Sequence, residues 1–263
     1  MIPESARGQL EDIASGLAQI LEDALLAVYL HGSAVLDCFG PRSDIDLLAV
    51  VQAPVPLEAK RSLVTLVLAE SGPYEGTGGR WPVELDVVPV AALRRWRHPA
   101  PFEFHYGEYL RPRFEAGELK PWESPQNRDL AAHVRVARHS GVALVGPPPE
   151  DLLPEVPEAD FRDALLYDLE WGREHLRELG GIPGGIRNLV LGLARVWSTL
   201  ATGEPQSKVS GAAWALPRLR AELRPVLEHA RDLYVGALED ERWGTLPVAD
   251  YNEAVADAVD NQL

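Results

Sequence analysis

The spacing of apolar positions changes several times along the N-terminal half. Residues 4–23 place Leu10, Ile13, Leu17, Ile20 and Leu21 on one stripe, with Glu11, Asp12 and Glu22 off it, which predicts an amphipathic helix. Apolar runs at 25–30 and 45–51 predict two strands. After Pro54 and Pro56, the positions of Leu63, Val64, Val67 and Leu68 predict a helix over 57–68. Gly76, Gly78 and Gly79 make 74–80 a loop. A third strand is predicted over 81–88, where Leu85 and Val87 alternate with Glu84 and Asp86. Residues 91–125 show no sustained period and read as irregular; 127–139 reads as a helix and 142–145 as a short edge strand.

Five prolines between 146 and 157 interrupt the pattern and set a domain boundary there, giving domains 1–157 and 158–263. Beyond it every predicted element is helical: 160–179, 186–200, and roughly 211–220, 221–238 and 248–261, with loops at 180–185 and 203–207. The expected fold class is α+β, a mixed sheet with flanking helices followed by an all-α bundle.

The chemistry concentrates in His31 to Val50. In a strand beginning near Asp44, Asp44 and Asp46 share one face, their Cα atoms roughly 6.5–7 Å apart. Two neighbouring carboxylates repel unless a cation lies between them, and Mg²⁺ takes oxygen ligands of this kind together with substrate phosphates. Upstream, Gly32 lets a phosphate approach the backbone. Ser33 adds a hydroxyl, and a helix starting there would add N–H groups. Glu84 and Asp86 form a second carboxylate pair on one strand face, where a positioned carboxylate serves as general base.

Composition narrows the substrate. The chain has 25 basic and 40 acidic residues in 263, a formal charge of −15. That disfavours a nucleic-acid partner and favours a small cationic one. One cysteine, Cys38, excludes an internal disulfide and suits a reducing cytoplasm. No leader and no apolar run long enough to span a bilayer is seen, so a cytoplasmic protein without membrane partner is expected, as a monomer. The seven histidines are read as surface or capping residues, and His and Cys as too scattered for a zinc site.

Gly32-Ser33 followed by Asp44-Ile45-Asp46 resembles the signature of the nucleotidyltransferase superfamily, with the DNA polymerase β-like fold. Gly141 to Gly146, Arg187-Asn188 with the helix ending Ala194-Arg195-Val196-Trp197-Ser198, and Gly203 through Lys208 to Ala213-Trp214-Ala215 are similar to the aminoglycoside (3″)(9) adenylyltransferases. The resemblance covers nearly the whole chain. It implies transfer of AMP from ATP to a hydroxyl of streptomycin or spectinomycin, with ATP and Mg²⁺ as cofactors. It implies that Asp44 and Asp46 bind metal, that Ser33 and Ser43 line the triphosphate, and that Glu84 is the base. It also implies that Arg195 and Lys208 reach the phosphates, that Tyr234 lies near adenine, and that Tyr109 and Asn188 meet the drug. Asp86 either supports the metal site or orients Glu84.

The family carries an acidic drug contact two positions before the Arg-Asn pair, where this chain has Gly185. The helix upstream instead offers Asp168, Trp171 and Glu174 at i, i+3 and i+6, an aromatic and acidic wall for a cation. Two other readings compete. An adenylyltransferase acting on another small molecule or on a partner protein, as in antitoxin-like AMPylation, fits the motif, but the large helical bundle argues against the protein acceptor. A non-catalytic binding module is disfavoured because all three carboxylate positions are intact.

Overall fold

The computed structural model describes residues 4–36, 38–73, 79–122, 124 and 126–261, without the side chains of Ser5, Asp168 and Arg173. Most of the glycine loop at 74–80 lies outside the described residues.

The chain begins with α1 (Glu4–Leu21), β1 (Leu25–His31), β2 (Ile45–Val51), α2 (Leu57–Glu70) and β3 (Val83–Pro89). The segment read as irregular is in fact structured. It holds α3 (Val90–Arg94), β4 (Ala100–Pro101), β5 (Phe104–Tyr106), a 3₁₀ turn at Glu108–Leu110 and α4 (Arg111–Glu115). Next come β6 (Gln126–Asn127), α5 (Leu130–Ser140), β7 (Val142–Val145) and α6 (Pro149–Leu152). The remainder is helical: α7 (Glu158–Glu174), α8 (Leu176–Leu179), α9 (Gly185–Thr202), α10 (Lys208–Ala215), α11 (Arg224–Tyr234) and α12 (Val248–Asp260). The helix expected over 160–179 is thus interrupted at His175. That expected over 221–238 ends at Tyr234, with Gly236 at φ +77° just beyond.

The chain forms two compact units. One comprises residues up to Phe39 and Ser43–Phe161; the other comprises Gly40–Arg42 and Arg162 onward. In the first, five strands run in the order β5-β3-β2-β1-β7. β2 and β3 are parallel, and the other pairings are antiparallel.

Period-2 alternation divides the side chains between two cores. Val28, Leu30, Ile45, Leu47, Leu85, Phe104 and Tyr106 pack with Leu10, Ile13 and Leu17 of α1 and Leu63 and Val67 of α2. Ala27, Tyr29, Leu48, Val50 and Val88 pack on the opposite face with Leu130, Val134 and Ala137 of α5. His31, Asp46, Glu84, Asp86 and His105 belong by parity to this second face, at the strand ends where the apolar core stops.

In the second unit α9 is central, burying Leu189, Val190, Leu193, Val196 and Trp197. The Tyr251 hydroxyl of α12 donates to the Val190 carbonyl at 2.9 Å. Buried Trp197 meets half-buried Trp214 of α10 edge to face, centroids 5.2 Å apart. No described helix is long and apolar enough to cross a membrane.

Candidate active site

The sheet register assembles the carboxylates. His31 pairs with Asp46 across β1–β2, and Asp46 with Glu84 across β2–β3. The row beneath runs Tyr29, Leu48, Asp86, His105. Asp44 precedes β2 by one residue, and Ser43 beside it is 1% exposed.

Gly32 begins a single 3₁₀ turn, Gly32–Ala34, rather than the start of an α-helix. Its φ is +63°, a region open to glycine, and a Cβ there would overlap Oδ2 of Asp46. Ser33 Oγ is buried without a hydrogen-bond partner. A buried hydroxyl left unsatisfied costs free energy, and the missing Cβ of Gly32 is what lets the Asp46 carboxylate lie against the backbone beside it. These features fit a phosphate chain and the cation that Asp44 and Asp46 would hold.

Asp86 is 1% exposed and gripped from both sides. His105 Nδ1 donates to Oδ1 and His133 Nδ1, from α5, to Oδ2, each at 2.8 Å. His105 Nε2 lies 2.7 Å from the Tyr109 hydroxyl, and His133 Nε2 lies 3.8 Å from Glu84 Oε1. The rings of His31 and His133 lie 5.3 Å apart. Burial alone would raise the pKa of Asp86, but the charge and hydrogen bond of His105, then those of His133, hold it well below the usual carboxylate range. Burial lowers that of His133, yet the bond and charge of Asp86, then the charges of Glu84 and Asp129, raise it to about 10. His105 is raised against its burial, chiefly by Asp86. His31 is lowered to about 3 by burial and then by the charge of His133.

The reading of all histidines as surface or capping groups is therefore wrong for His31, His105 and His133. Glu84, Asp86 and His133 lie close enough for one ligand atom of each to surround a cation, within 4.8 Å of one another. In this arrangement both Asp86 oxygens lie 2.8 Å from imidazole nitrogens of His105 and His133.

Tyr109 is 57% exposed at the end of this chain of contacts. Its 3₁₀ turn is anchored by Glu108, which accepts from the hydroxyls of Ser71 and Tyr106 and pairs with Arg111.

In the second unit, Asn188 and Arg195 lie two turns apart on α9 and share a face. Gly211 of α10 packs so closely that a Cβ there would lie 2.8 Å from the Arg195 Cα. Lys208, at the start of α10 after the capping box of Ser207 and Ser210, donates from Nζ to Asn188 Oδ1 at 3.2 Å. The same ammonium lies 5.5 Å over the ring of buried Tyr234. On α7, Trp171 is 41% exposed and stacks on His175, centroids 4.5 Å apart; Glu174 is exposed, and the side chain of Asp168 lies outside the described residues.

Residues 151–261 match the family model for the aminoglycoside adenylyltransferase C-terminal domain. A spectinomycin 9-adenylyltransferase of Staphylococcus aureus is 35% identical over 239 residues, spanning 89% of this chain and 88% of that protein. The chain belongs to the aminoglycoside adenylyltransferase family. An aminoglycoside (3″)(9) adenylyltransferase of Escherichia coli is 37% identical over 235 residues, 88% of this chain and 86% of that one. The fold agrees: the crystal structure of spectinomycin adenyltransferase AAD(9) from Enterococcus faecialis, with ATP and spectinomycin, matches with a TM-score of 0.88. That match covers 97% of this chain and 99% of the other at 24% identity. The enzyme is thus a nucleotidyltransferase.

The departure at Gly185 has a steric basis. A Cβ on Gly185 would run into the Leu179 carbonyl, and one on Gly184, at φ +75°, into the Arg187 guanidinium. Arg187, 1% exposed, pairs with Glu241 at 3.2 Å. No acidic side chain fits at 185 while α8 and α9 join in this way.

Proposed function

We propose that the enzyme transfers AMP from ATP to a hydroxyl of an aminoglycoside or aminocyclitol antibiotic, spectinomycin or streptomycin, and so confers resistance. One observation carries this reading: Asp46 and Glu84 stand opposite each other on parallel strands, with Gly32 against the Asp46 carboxylate and the hydroxyl of the next residue, Ser33, buried and unsatisfied. The kinship with spectinomycin and aminoglycoside (3″)(9) adenylyltransferases supports the acceptor class. The excess of 40 acidic over 25 basic residues suits a cationic drug and disfavours nucleic acid.

In this reading Gly32, Ser33 and Ser43 receive the triphosphate, and Asp44 and Asp46 hold Mg²⁺. A magnesium ion there would neutralise charge on the triphosphate. Glu84 takes the proton of the acceptor hydroxyl as its oxygen bonds to the α-phosphorus and the bond to pyrophosphate breaks. Arg195 and Lys208 offset the charge of the departing pyrophosphate, and Tyr234 serves the adenine end. Tyr109, Asn188, Trp171 and Glu174 are assigned to the drug, as is Asp168, whose side chain lies outside the described residues. The sheet domain, 1–157, and the helical domain, 158–263, divide these tasks in a cytoplasmic monomer.

The test is pyrophosphate release from ATP and Mg²⁺ with spectinomycin, streptomycin and other aminocyclitols. Release with a member of that panel, and an adenylylated product by mass, is the expected result. ATP binding without release for any of them overturns the antibiotic reading.

A further inference from the structure

The family chemistry leaves a polar chain unexplained that has buried Asp86 at its centre: Tyr109, His105, Asp86, His133 and Glu84 in order of contact, drawn from β5 and its following turn, β3 and α5. Asp86 has no exposed oxygen with which to meet a substrate, being 1% exposed with both oxygens occupied by imidazoles. Two Nδ1 donors at 2.8 Å on its two oxygens prevent the carboxylate from turning. That fixes the plane of the His133 ring, because Nδ1 bound to Asp86 leaves Nε2 directed to the other side. What lies there is Glu84 Oε1, at 3.8 Å. The arrangement is that of a buried carboxylate orienting a histidine so that its far nitrogen addresses a reacting group.

We propose that His133 is a positioning residue, anchored by Asp86, that holds the Glu84 carboxylate towards the acceptor hydroxyl. The inference rests on the role given to Glu84 above. A carboxylate side chain swings about three torsions, and the proton transfer it performs needs hydrogen-bond reach of the hydroxyl. The N–H of His133 restrains one oxygen by charge and direction and leaves the other to take the proton. His105 contributes by locking Asp86.

Two substitutions separate the halves of the imidazole. In His133→Asn the amide nitrogen replaces Nδ1, keeping the bond to Asp86 and losing everything that reaches Glu84. In His133→Gln the amide nitrogen replaces Nε2, keeping the reach to Glu84 and losing the anchor. Full-length wild type and variants are compared by steady-state AMP transfer to the acceptor found active, by ATP binding and by thermal melting. For His133→Asn, kcat falls about 10–100-fold, the range found on removing groups that orient catalytic ligands, while the KM for ATP stays near wild type and the melting temperature falls less than in His133→Gln. His133→Gln retains more of kcat than His133→Asn although it melts lower.

A folded His133→Asn enzyme with wild-type kcat overturns the proposal and leaves His133 a structural partner of Asp86. Losses of kcat that merely follow the losses of melting temperature overturn it too. If His133→Asn does not fold, His133→Gln decides: a folded protein whose kcat falls beyond what its melting loss explains supports the proposal, and wild-type kcat refutes it. A wild-type enzyme that binds ATP but modifies no acceptor overturns the assigned reaction, and with it this inference; an active wild type with an indifferent His133→Asn overturns the inference alone.

Discussion

The backbone of Gly32 rests on the carboxylate of Asp46, so closely that a methyl group on Gly32 would overlap Oδ2. The contact follows from the β1–β2 register, which puts His31 opposite Asp46 and turns the chain at the next residue. Gly32→Ala therefore fails twice. Its φ of +63° costs an L side chain about 1–2 kcal/mol, and the methyl displaces Asp46 from the position in which it would hold metal. The expected outcome is a lowered melting temperature, together with weakened Mg²⁺-dependent ATP binding measured by calorimetry. A variant that loses stability but binds Mg·ATP as wild type would show that the contact is only steric.

Glu84→Gln tests the base. Glutamine keeps the size and one oxygen of the side chain but accepts no proton. Turnover falls at least about a hundredfold, as for loss of a general base, while ATP binding is retained. Retained turnover would move the proton acceptor elsewhere. Asp86 is a poor substitute, since both its oxygens are bonded to histidines.

The pair Glu84 and Asp86 is legible because period-2 alternation alone places both on one face of β3, and Asp46 is legible on β2 in the same way. Their convergence is not, because register is a tertiary property: nothing local says that Asp46 meets Glu84 across a parallel pair. The histidines were missed for related reasons. The apolar run of β1 stops at Leu30, so nothing local places His31 on the sheet, although it shares parity with Tyr29. β5 is three residues long and follows Pro99 and Pro101, too short for a period to emerge. Even so, Phe104 and Tyr106 flanking His105 give the apolar–polar–apolar signal that would have found it. The helix bearing His133 was read correctly as an element, but which residues it turns to the sheet depends on packing, since Val134 is fully buried and its neighbour meets Asp86.

Gly185 bears on the acceptor. Restoring an acidic contact by Gly185→Glu drives a Cβ into the Leu179 carbonyl, a rigid backbone neighbour. Overpacking of this kind costs about 1–3 kcal/mol. The variant melts lower and gains no affinity for streptomycin or spectinomycin, as read by KM. A lower KM with unchanged melting would mean that the α8–α9 junction adapts, and that Gly185 is a choice of substrate rather than of fold.

The paired histidines set opposite limbs of the stability profile. His31 faces His133 and Asp86; its pKa, about 3, lies below the unfolded value of about 6.5. Between these values the unfolded chain binds a proton that the folded chain does not, so this group makes stability rise with pH. His133 faces Asp86 and Glu84 from β3, Asp129 from the N-terminal end of its own helix and His31 from β1, and its pKa is raised to about 10. From about 6.5 upward the folded chain keeps a proton that the unfolded chain has lost. Its contribution is complete below that pH and fades as pH rises through about 10. His105, also raised, acts in the same direction. In metal-free buffer His133→Asn should flatten the alkaline decline in melting temperature. It should also soften the acid limb, because His31 no longer faces an imidazolium. Parallel wild-type and variant curves across both limbs would mean that His133 is neutral in the folded enzyme.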